Sequence, residues 1–400
     1  MRRLTSAILA SALLTPVLAA APAEAASARR IGYTQWDTGA ALRTGALDGV
    51  RVRAGRVSLV PGVDAGRWAS PWTAAGFALT RLIASWSART PGDSRLKVEV
   101  RGRSGTRTSS WDTLALWASD DRYLRRTTSS GQSDDLGSVN VDTWVVPGGV
   151  TSYQLRVRLS RAAGQAGSPS VDTIGAVSSL LPDVSDFPTS RPGVARGVVL
   201  DVPRYSQMIH RGQNPEFGGG GEAWCSPTSL SMLLGYYGRL PGPRSYAWVK
   251  RSYADRWVNQ VARMTYDYRY RGTGNWPFNT AAAATRLPDT FVTRLTDLRM
   301  AESFLRAGIP LAVSIRFSRG GLTGAPISAT AGHLVVLAGL TATGDPIVMD
   351  PAAPTDATVR RTYDRAQFER AWLGGSGGTA YVVRDAAHPL PARPAGVRAW

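Results

Sequence analysis

The chain has 400 residues, a formal net charge of +18 from 47 Lys and Arg against 29 Asp and Glu, and a single cysteine. This length predicts two or three domains, and one cysteine excludes a fold held together by internal disulfides. The positive charge favours anionic partners, but the arginines are scattered and form no basic block, so a nucleic-acid-binding function is not predicted. Codon bias in a GC-rich genome explains the arginine excess equally well.

Residues 1–25 have the pattern of an export signal. Two arginines precede an apolar stretch from Leu4 to Leu18, and Ala23-Glu-Ala25 fits a cleavage site with small residues. The apolar stretch is short and is interrupted by Pro16, which argues against a membrane anchor. We therefore expect a secreted or cell-wall-associated protein without a membrane span.

Residues 30–181 have the pattern of an all-β domain. Leu96–Val100 and Tyr153–Leu159 alternate apolar and polar residues, which is the period of a strand with one solvated face. Clusters of Gly, Pro, Ser and Asp separate the other short apolar runs. Regular short strands with turns between them predict a β-sandwich, and its tryptophans are expected mainly in the core.

The remainder of the chain predicts a linker, an α+β domain and a tail. Residues 182–197 contain three prolines and no periodic pattern, as in a linker. Residues 198–385 mix helical and strand patterns, which predicts an α+β domain with a mainly antiparallel sheet. Its helices are expected at 226–237, 297–307 and 364–373, and its strands at 310–317, 333–340, 346–350 and 379–384. Residues 386–400 are rich in Pro, Arg and Ala and are expected to be loose.

Cys225 lies at the predicted start of the first of these helices, within Trp224-Cys-Ser-Pro-Thr-Ser229. A helix N-terminus stabilises the thiolate, which is the reactive form of cysteine, and Pro227 suits the first helical turn. Without catalytic partners, however, a buried and inert cysteine is the simpler interpretation.

His333 and Asp350 supply such partners. His333 begins one predicted strand and Asp350 ends the next, and the midpoint between them falls in the turn Leu340–Asp345. In a hairpin, His333 and Asp350 then lie nearly opposite each other on one face. A carboxylate facing an imidazole fixes its tautomer and stabilises the imidazolium, so the spacing predicts a Cys–His–Asp triad.

An oxyanion hole requires a second donor besides the backbone N–H of Cys225. Gln207 is our candidate and Gln213 the alternative, since the spacing does not select between their side-chain amides.

His210 is either a second base or a solvated loop residue. None of the three histidines has metal-ligand spacing to another, so we predict no metal and no cofactor.

Four residues are predicted to contact substrate. Trp224 and Ser226 flank the cysteine, and Asn275 and Trp276 lie in an aromatic segment, Gly272–Asn279. Aromatic side chains beside glycine and asparagine suit a cleft wall that binds an extended peptide or glycan. The alternative is a surface loop whose aromatic side chains pack into the core.

Motifs in the second half of the chain resemble those of a known family. In chain order they are Pro203-Arg-Tyr-Ser-Gln207, Trp224-Cys-Ser-Pro-Thr-Ser229 with Gly235-Tyr-Tyr-Gly238, Gly332-His-Leu-Val-Val336 and Met349-Asp-Pro351. With them, residues 198–385 resemble papain-fold cysteine peptidases related to the bacteriocin double-glycine leader peptidases, especially their secreted branch in high-GC Gram-positive bacteria. The resemblance implies Cys225 as nucleophile and His333 as general base and then acid. It also implies Asp350 as the orienting residue and Gln207 as the oxyanion donor.

The chain departs from this family at two points. The family usually has glycine after the cysteine, where this chain has Ser226, whose hydroxymethyl group is expected to narrow the cleft. The interval between Gln207 and Cys225 is also longer than in the processing proteases. No Walker-type loop occurs, so leader removal coupled to export is not expected.

We therefore predict a secreted bacterial cysteine hydrolase that cleaves amide bonds in protein, peptide or cell-wall peptide substrates. Two other functions fit the sequence. A peptidoglycan endopeptidase or amidase would use the same residues, and a catalytically inert protein would bind anionic envelope polymers through its sandwich. For the first domain, substrate recognition, shielding of the cleft and a prodomain role all stay open.

Overall fold

The computed structural model describes residues 29–129, 131–182 and 187–400. The predicted export signal, residues 1–25, lies outside the described residues. Among those that are described, no helix is long and apolar enough to span a membrane.

The first domain is an all-β domain whose described strands join in one antiparallel network. Its elements are β1 (Arg30–Trp36), α1 (Gly39–Arg43), β2 (Ala46–Asp48), β3 (Val50–Arg53), β4 (Arg56–Leu59), β5 (Ala65–Ala69), β6 (Thr73–Arg89), β7 (Ser94–Ser104), β8 (Arg107–Thr108), β9 (Asp112–Trp117), β10 (Thr127–Thr128), β11 (Ser138–Asn140), β12 (Thr143–Arg161) and β13 (Ser170–Leu180). The long strands β6 and β12 change partners along their length. Their first halves pair with each other, after which β6 continues with β13 and β12 with β7 and β5. They thereby join two layers.

Tryptophans from the two layers meet in the core. Trp36 of β1 packs on Trp68 of β5 with ring centroids 5.4 Å apart, and Trp86 of β6 packs on Trp117 of β9 at 6.0 Å. All four are buried. The prediction of a β-sandwich with tryptophans in its core is confirmed.

The second domain surrounds a six-stranded antiparallel sheet, ordered β14-β19-β15-β16-β17-β18. Its elements are α2 (Cys225–Tyr236), α3 (Arg256–Thr265), α4 (Trp276–Ala284), β14 (Asp289–Arg294), α5 (Leu298–Arg306), β15 (Leu311–Phe317), β16 (Thr330–Leu340), β17 (Pro346–Met349), β18 (Arg360–Thr362), α6 (Arg365–Ser376) and β19 (Thr379–Arg384). Short 3₁₀ helices cover Gln207–His210, Gly221–Ala223 and Asp356–Thr358. The predicted α+β domain is confirmed.

Helices cover both faces of this sheet. On β16, Val336 and Ala338 pack into the core that contains α2 and α4, whereas Val335 and Leu337 pack into the core that contains α5 and α6. Because successive strand residues point to opposite faces, burial of both faces requires the continuous apolar run seen in β16. The Ser229 hydroxyl of α2 donates to the Leu334 carbonyl at 3.0 Å and so holds the start of β16, where His333 lies, against α2.

Buried ionic groups hold the end of the predicted linker, residues 182–197, against the second domain. The backbone N–H groups of Gly193 and Ala195 donate to one Glu302 oxygen at 2.8 and 3.1 Å. The other Glu302 oxygen pairs with Arg365 at 2.9 Å. This segment is thus attached to the domain that follows it.

The expectation of a loose tail, residues 386–400, is wrong for the last residues. Ala399 and Trp400 are buried, and the Trp400 ring packs on Phe304 of α5 at 4.7 Å. The Arg398 carbonyl accepts a hydrogen bond from Tyr33 N–H of β1 at 2.6 Å. The C-terminal residues therefore pack between α5 and the first domain, where burial of the large tryptophan offsets the entropy lost on ordering them.

The two domains share an interface of polar and apolar contacts. Arg126 of the first domain is buried, and its guanidinium donates to the Arg263 carbonyl at 2.7 Å, in the last turn of α3. Helix C-termini leave carbonyls without partners, which cations satisfy. Asp121 pairs with the Arg263 side chain at 2.7 Å, and Trp117 packs on Phe278 of α4 at 5.3 Å. The first domain thus supplies hydrogen bonds, an ion pair and packing to helices of the second domain.

Replacing Arg126 by methionine should therefore destabilise the whole protein. The change leaves buried carbonyls without donors, and we expect the free energy of unfolding to fall by about 2–4 kcal/mol. Urea denaturation measures this, with Arg122→Met as the matched control because Arg122 is exposed. Equal urea midpoints for the two variants would show that Arg126 does not join the domains energetically.

Candidate active site

Cys225 is the first residue of α2 and is partly accessible. Burial by itself raises the pKa of its thiol, but hydrogen bonds from the His333 side chain and from the Leu334 and Ser226 backbones, with the His333 charge, outweigh burial and lower the pKa. The N-terminus of a helix adds a favourable field for the anion. Cys225 is thus placed to exist as a thiolate.

His333 joins Cys225 to a buried carboxylate. Its Nε2 lies 2.8 Å from Asp350 Oδ1, and both side chains are almost fully buried. Burial disfavours the imidazolium, but Asp350 on one side and Cys225 on the other raise the pKa of His333 well above its usual range. Asp350 on one side of the imidazole and Cys225 on the other thus favour a thiolate–imidazolium pair.

The hairpin between β16 and β17 differs in register from the simple hairpin expected. Val336 pairs with Met349 and Leu337 with Val348, a shift of two residues relative to the predicted register, followed by a bulge before Gly339. Because side chains alternate with a period of two, a shift of two keeps every side chain on its predicted face. Asp350 lies just after β17, and its side chain still reaches His333.

Asp350 is fixed by further donors. Tyr363 donates its hydroxyl to Asp350 Oδ2 at 2.7 Å, and the Ala352 N–H donates to Oδ1 at 3.0 Å. Burial raises the pKa of Asp350, but the His333 charge and these hydrogen bonds outweigh it, so the pKa is lowered. The sequence analysis missed Tyr363, because nothing in its local sequence marks a tyrosine thirteen residues downstream as a partner of Asp350.

The two candidate oxyanion glutamines have different environments. Gln207 is buried, and its amide nitrogen donates to the carbonyl of Glu222, three residues before Cys225, at 2.7 Å. Gln213 is occupied elsewhere: its amide nitrogen donates to the Ile209 carbonyl and its oxygen accepts from Asn259. Gln207 is thus bonded to the segment that leads to Cys225, whereas Gln213 is bonded to Ile209 and Asn259.

A close backbone approach explains how the long interval between Gln207 and Cys225 is accommodated. The two 3₁₀ helices lie side by side, and a side chain on Gly221 would come within 2.3 Å of the His210 backbone. Gly220, with φ of 113°, adopts a conformation that favours glycine. The intervening residues form a loop of turns between the two 3₁₀ helices.

His210 is neither a solvated residue nor hydrogen-bonded to Cys225. It is fully buried, packs 6.0 Å from the Trp224 ring and shares a 3.1 Å hydrogen bond with Gln213. Burial lowers its pKa, which keeps the ring neutral. Within residues 29–129, 131–182 and 187–400, no three His, Cys, Asp or Glu side chains converge as a metal site would require.

The predicted substrate contacts of Trp224 and Ser226 need correction, because both side chains are fully buried. The Trp224 indole N–H donates to the Phe217 carbonyl at 2.7 Å. Ser226 Oγ lies 2.9 Å from the Tyr381 hydroxyl, so the hydroxymethyl group points into the interior and does not narrow the cleft. The small residue is needed for packing against Tyr381.

Asn275 also has a structural role. It is buried and caps α4, where its side chain accepts from the Phe278 N–H at 3.1 Å and donates to Asp267 at 3.0 Å. Trp276 is half-buried, and its backbone N–H donates to the Asp142 side chain of the first domain. The segment that suggested a cleft wall is thus mainly a helix start packed into the core.

Two family models match the chain. The Peptidase C39 N-terminal domain family matches residues 32–179, and the Peptidase C39-like family matches residues 199–379. No curated protein matches the chain. The carbohydrate recognition domain of Emp46p in its potassium-bound form is 13% identical, with 34% of this chain and 89% of that chain covered and a TM-score of 0.23. A prointerpain A fragment from Prevotella intermedia, a cysteine-to-alanine variant, is 16% identical, with 51% and 77% covered and a TM-score of 0.28.

Proposed function

The chain belongs to the Peptidase C39-like family, with a Peptidase C39 N-terminal domain before the peptidase-like one, and we propose from this premise that it hydrolyses peptide bonds with Cys225 as nucleophile. One observation carries the proposal. Asp350 lies 2.8 Å from His333 Nε2, and Cys225 at the start of α2 acts on the same imidazole, so that the thiol pKa is lowered and the imidazole pKa is raised. No packing role requires that combination.

The reaction follows from this geometry. The Cys225 sulfur attacks the carbonyl carbon of the substrate, and the resulting oxyanion accepts hydrogen bonds from the Cys225 N–H and the Gln207 amide. His333 then donates its proton to the leaving amine as the C–N bond breaks, which leaves a thioester. His333 next removes a proton from water, and the hydroxide attacks the thioester to release the acid and restore the thiolate–imidazolium pair. Asp350 holds the ring and stabilises its positive charge.

The two pKa shifts predict how activity changes with pH at each end of the active range. Activity should rise as pH increases through the lowered pKa of Cys225, because the thiolate forms there. It should fall as pH increases through the raised pKa of His333, because the imidazolium loses the proton that the leaving amine needs. Both transitions belong to the coupled pair rather than to either residue alone.

A thiolate that persists at low pH is directly measurable. We expect the rate of Cys225 alkylation by iodoacetamide to change little between about pH 8 and pH 6, whereas an ordinary thiol slows about tenfold for each pH unit below its pKa. His333→Ala should restore the ordinary dependence. The same preparation is incubated with an unstructured protein and with cell-wall fragments, and the products are identified by mass spectrometry. An alkylation rate with the ordinary pH dependence in the wild type, together with no cleavage of either material, would contradict the proposal.

Gln207→Ala should lower kcat by about 10²-fold with little change in KM, because the amide acts on the oxyanion of the transition state rather than on bound substrate. Gln213→Ala is the control, since the Gln213 amide is held by Ile209 and Asn259. Steady-state kinetics on the folded variants separate the two. An equal loss of kcat in both would contradict the assignment of Gln207.

A further inference from the structure

A large groove lies where the two domains meet, and its lining includes the start of β16, the strand that carries His333. Its volume is about 1310 Å³, and its walls come from the start of the first domain, the end of β13, the β15–β16 region and the end of α6. Four arginines line it, together with two phenylalanines. They are Arg29, Arg81, Arg316 and Arg370, with Phe187 and Phe317.

A fifth arginine, Arg294, lies directly behind the groove wall. A side chain on Gly377, which lines the groove, would come within 2.2 Å of its guanidinium. Arg294 is 2% exposed, and its Nε has no hydrogen-bond partner among the described residues. Burial, followed by the charge of Arg81 and that of Arg29, acts to lower the pKa of Arg294, which is about 9. A buried guanidinium with an unused donor is a costly arrangement unless an anion is attracted to it.

Two described carboxylates act on the groove arginines without forming salt bridges: Asp297 acts on Arg29 and Asp142 on Arg294. The described lining of the groove contains no Asp or Glu, and none of the five arginines forms a salt bridge with another described residue. Among the described contacts, Arg29 Nη1 is also buried without a partner. Among the described residues, the groove arginines are thus not part of an ion-pair network.

Capping of α6 does not account for this charge. Arg29 donates to the Leu373 carbonyl at 3.4 Å, Arg316 to the Gly374 carbonyl at 2.9 Å, and Arg294 to the Ser376 carbonyl. A helix C-terminus carries only about −0.5 of an elementary charge, which a single arginine already exceeds. Three guanidinium groups at one helix end, with two more nearby, therefore leave an excess of positive charge.

The groove leads toward His333. Thr330 and Ala331 line it, and the exposed start of β16 runs from them to His333. His333 lies three residues after Thr330 along the strand, which corresponds to about 10 Å. An extended peptide also advances about 3.3 Å per residue, so a substrate residue about three positions from the scissile bond would reach the groove.

We propose that this groove is a specificity pocket that binds acidic side chains of the peptide substrate, at positions about three residues from the bond cleaved. The inference rests on the proposed peptidase function. Guanidinium groups bind carboxylates with charge-assisted, often bidentate hydrogen bonds, and the phenylalanines offer apolar surface for the neighbouring side-chain carbons. The preferred substrates are therefore acidic peptides.

The test measures binding separately from hydrolysis. Cys225→Ala protein is titrated into fluorescent peptides in which a single Glu is moved along an otherwise neutral sequence, and each is compared with its Gln counterpart by fluorescence anisotropy at low salt. We expect one or two positions at which Glu binds about tenfold more tightly than Gln. Replacing the exposed groove arginines, as Arg81→Gln/Arg316→Gln/Arg370→Gln, should remove that preference. The matched control, Arg53→Gln/Arg107→Gln/Arg239→Gln, makes the same charge change at exposed arginines outside the groove and should retain it.

Equal binding of Glu and Gln peptides at every position, or an equal loss in the control triple variant, would overturn the inference. Competition by inorganic phosphate as effective as that by unlabelled Glu peptide would overturn the peptide assignment in favour of a site for free anions. Hydrolysis of the same peptides by the unmodified protein is measured in parallel. Tight, Glu-dependent binding without hydrolysis would uphold the pocket and reject the peptidase.

Discussion

Replacing Cys225 by alanine is expected to lower kcat by about 10⁴-fold or more, the largest effect of any single change in this protein. The thiolate forms the covalent bond that divides amide hydrolysis into two easier steps, and no other residue can replace it, since this is the only cysteine. Peptide hydrolysis followed by mass spectrometry gives the rate, and labelling by a thiol-directed electrophile should disappear with it.

The matched control keeps the helix start intact. Ser231 lies on the same helix, is buried, and donates a hydrogen bond from its hydroxyl to the Pro227 carbonyl. Ser231→Ala therefore changes α2 without altering a triad residue. We expect this variant to retain most of its activity and Cys225→Ala to retain the wild-type unfolding temperature. Hydrolysis that survives in Cys225→Ala would falsify the assignment of the nucleophile.

Asp350→Asn is expected to lower kcat by about 10³-fold while the protein stays folded. The amide has almost the same shape as the carboxylate but no charge, so it no longer stabilises the His333 imidazolium or selects its tautomer. The raised pKa of His333 should fall, so that the imidazolium stabilises the Cys225 thiolate less. On acidification the thiolate should therefore be protonated at a higher pH than in the wild type. Both kcat and the pH dependence of Cys225 alkylation report on this change.

Tyr363→Phe separates the charge of Asp350 from its hydrogen bonding. It removes the 2.7 Å hydrogen bond to Oδ2 and leaves the carboxylate paired with His333. We expect less than about a tenfold loss of kcat and an alkylation profile close to that of the wild type, because one neutral hydrogen bond contributes only about 1 kcal/mol. Equal losses in Asp350→Asn and Tyr363→Phe would mean that the negative charge of Asp350 is not what activates His333.

Short-range patterns predicted much of the fold. Alternating residues identified the sandwich strands, and helical spacing placed α2, α5 and α6 to within a few residues. Asp297 and Asp364 accept hydrogen bonds from the first turns of α5 and α6, as their sequence positions suggest. These features depend on neighbours within one or two turns of the chain, which the sequence contains in full.

Other features depend on residues far apart in sequence. The hairpin register shifts by two because of pairing and bulging across the sheet, and the C-terminal Trp400 is ordered only because Phe304 lies beneath it. The sequence predicts that Asn275 contacts substrate, whereas in the structure it caps a helix that packs on an aromatic residue of the other domain. No local pattern contains this information.

The sequence by itself determined the order of the elements, the sandwich and α+β architecture, and which cysteine, histidine and aspartate have the chemistry of a triad. Only the tertiary structure decided that Gln207 rather than Gln213 lies beside the residues leading to Cys225, that Ser226 points inward to Tyr381, and that scattered arginines converge on one groove. The reason is physical. Periodicity and capping are properties of adjacent residues, whereas a side chain's direction and a local charge density arise only when distant segments pack together.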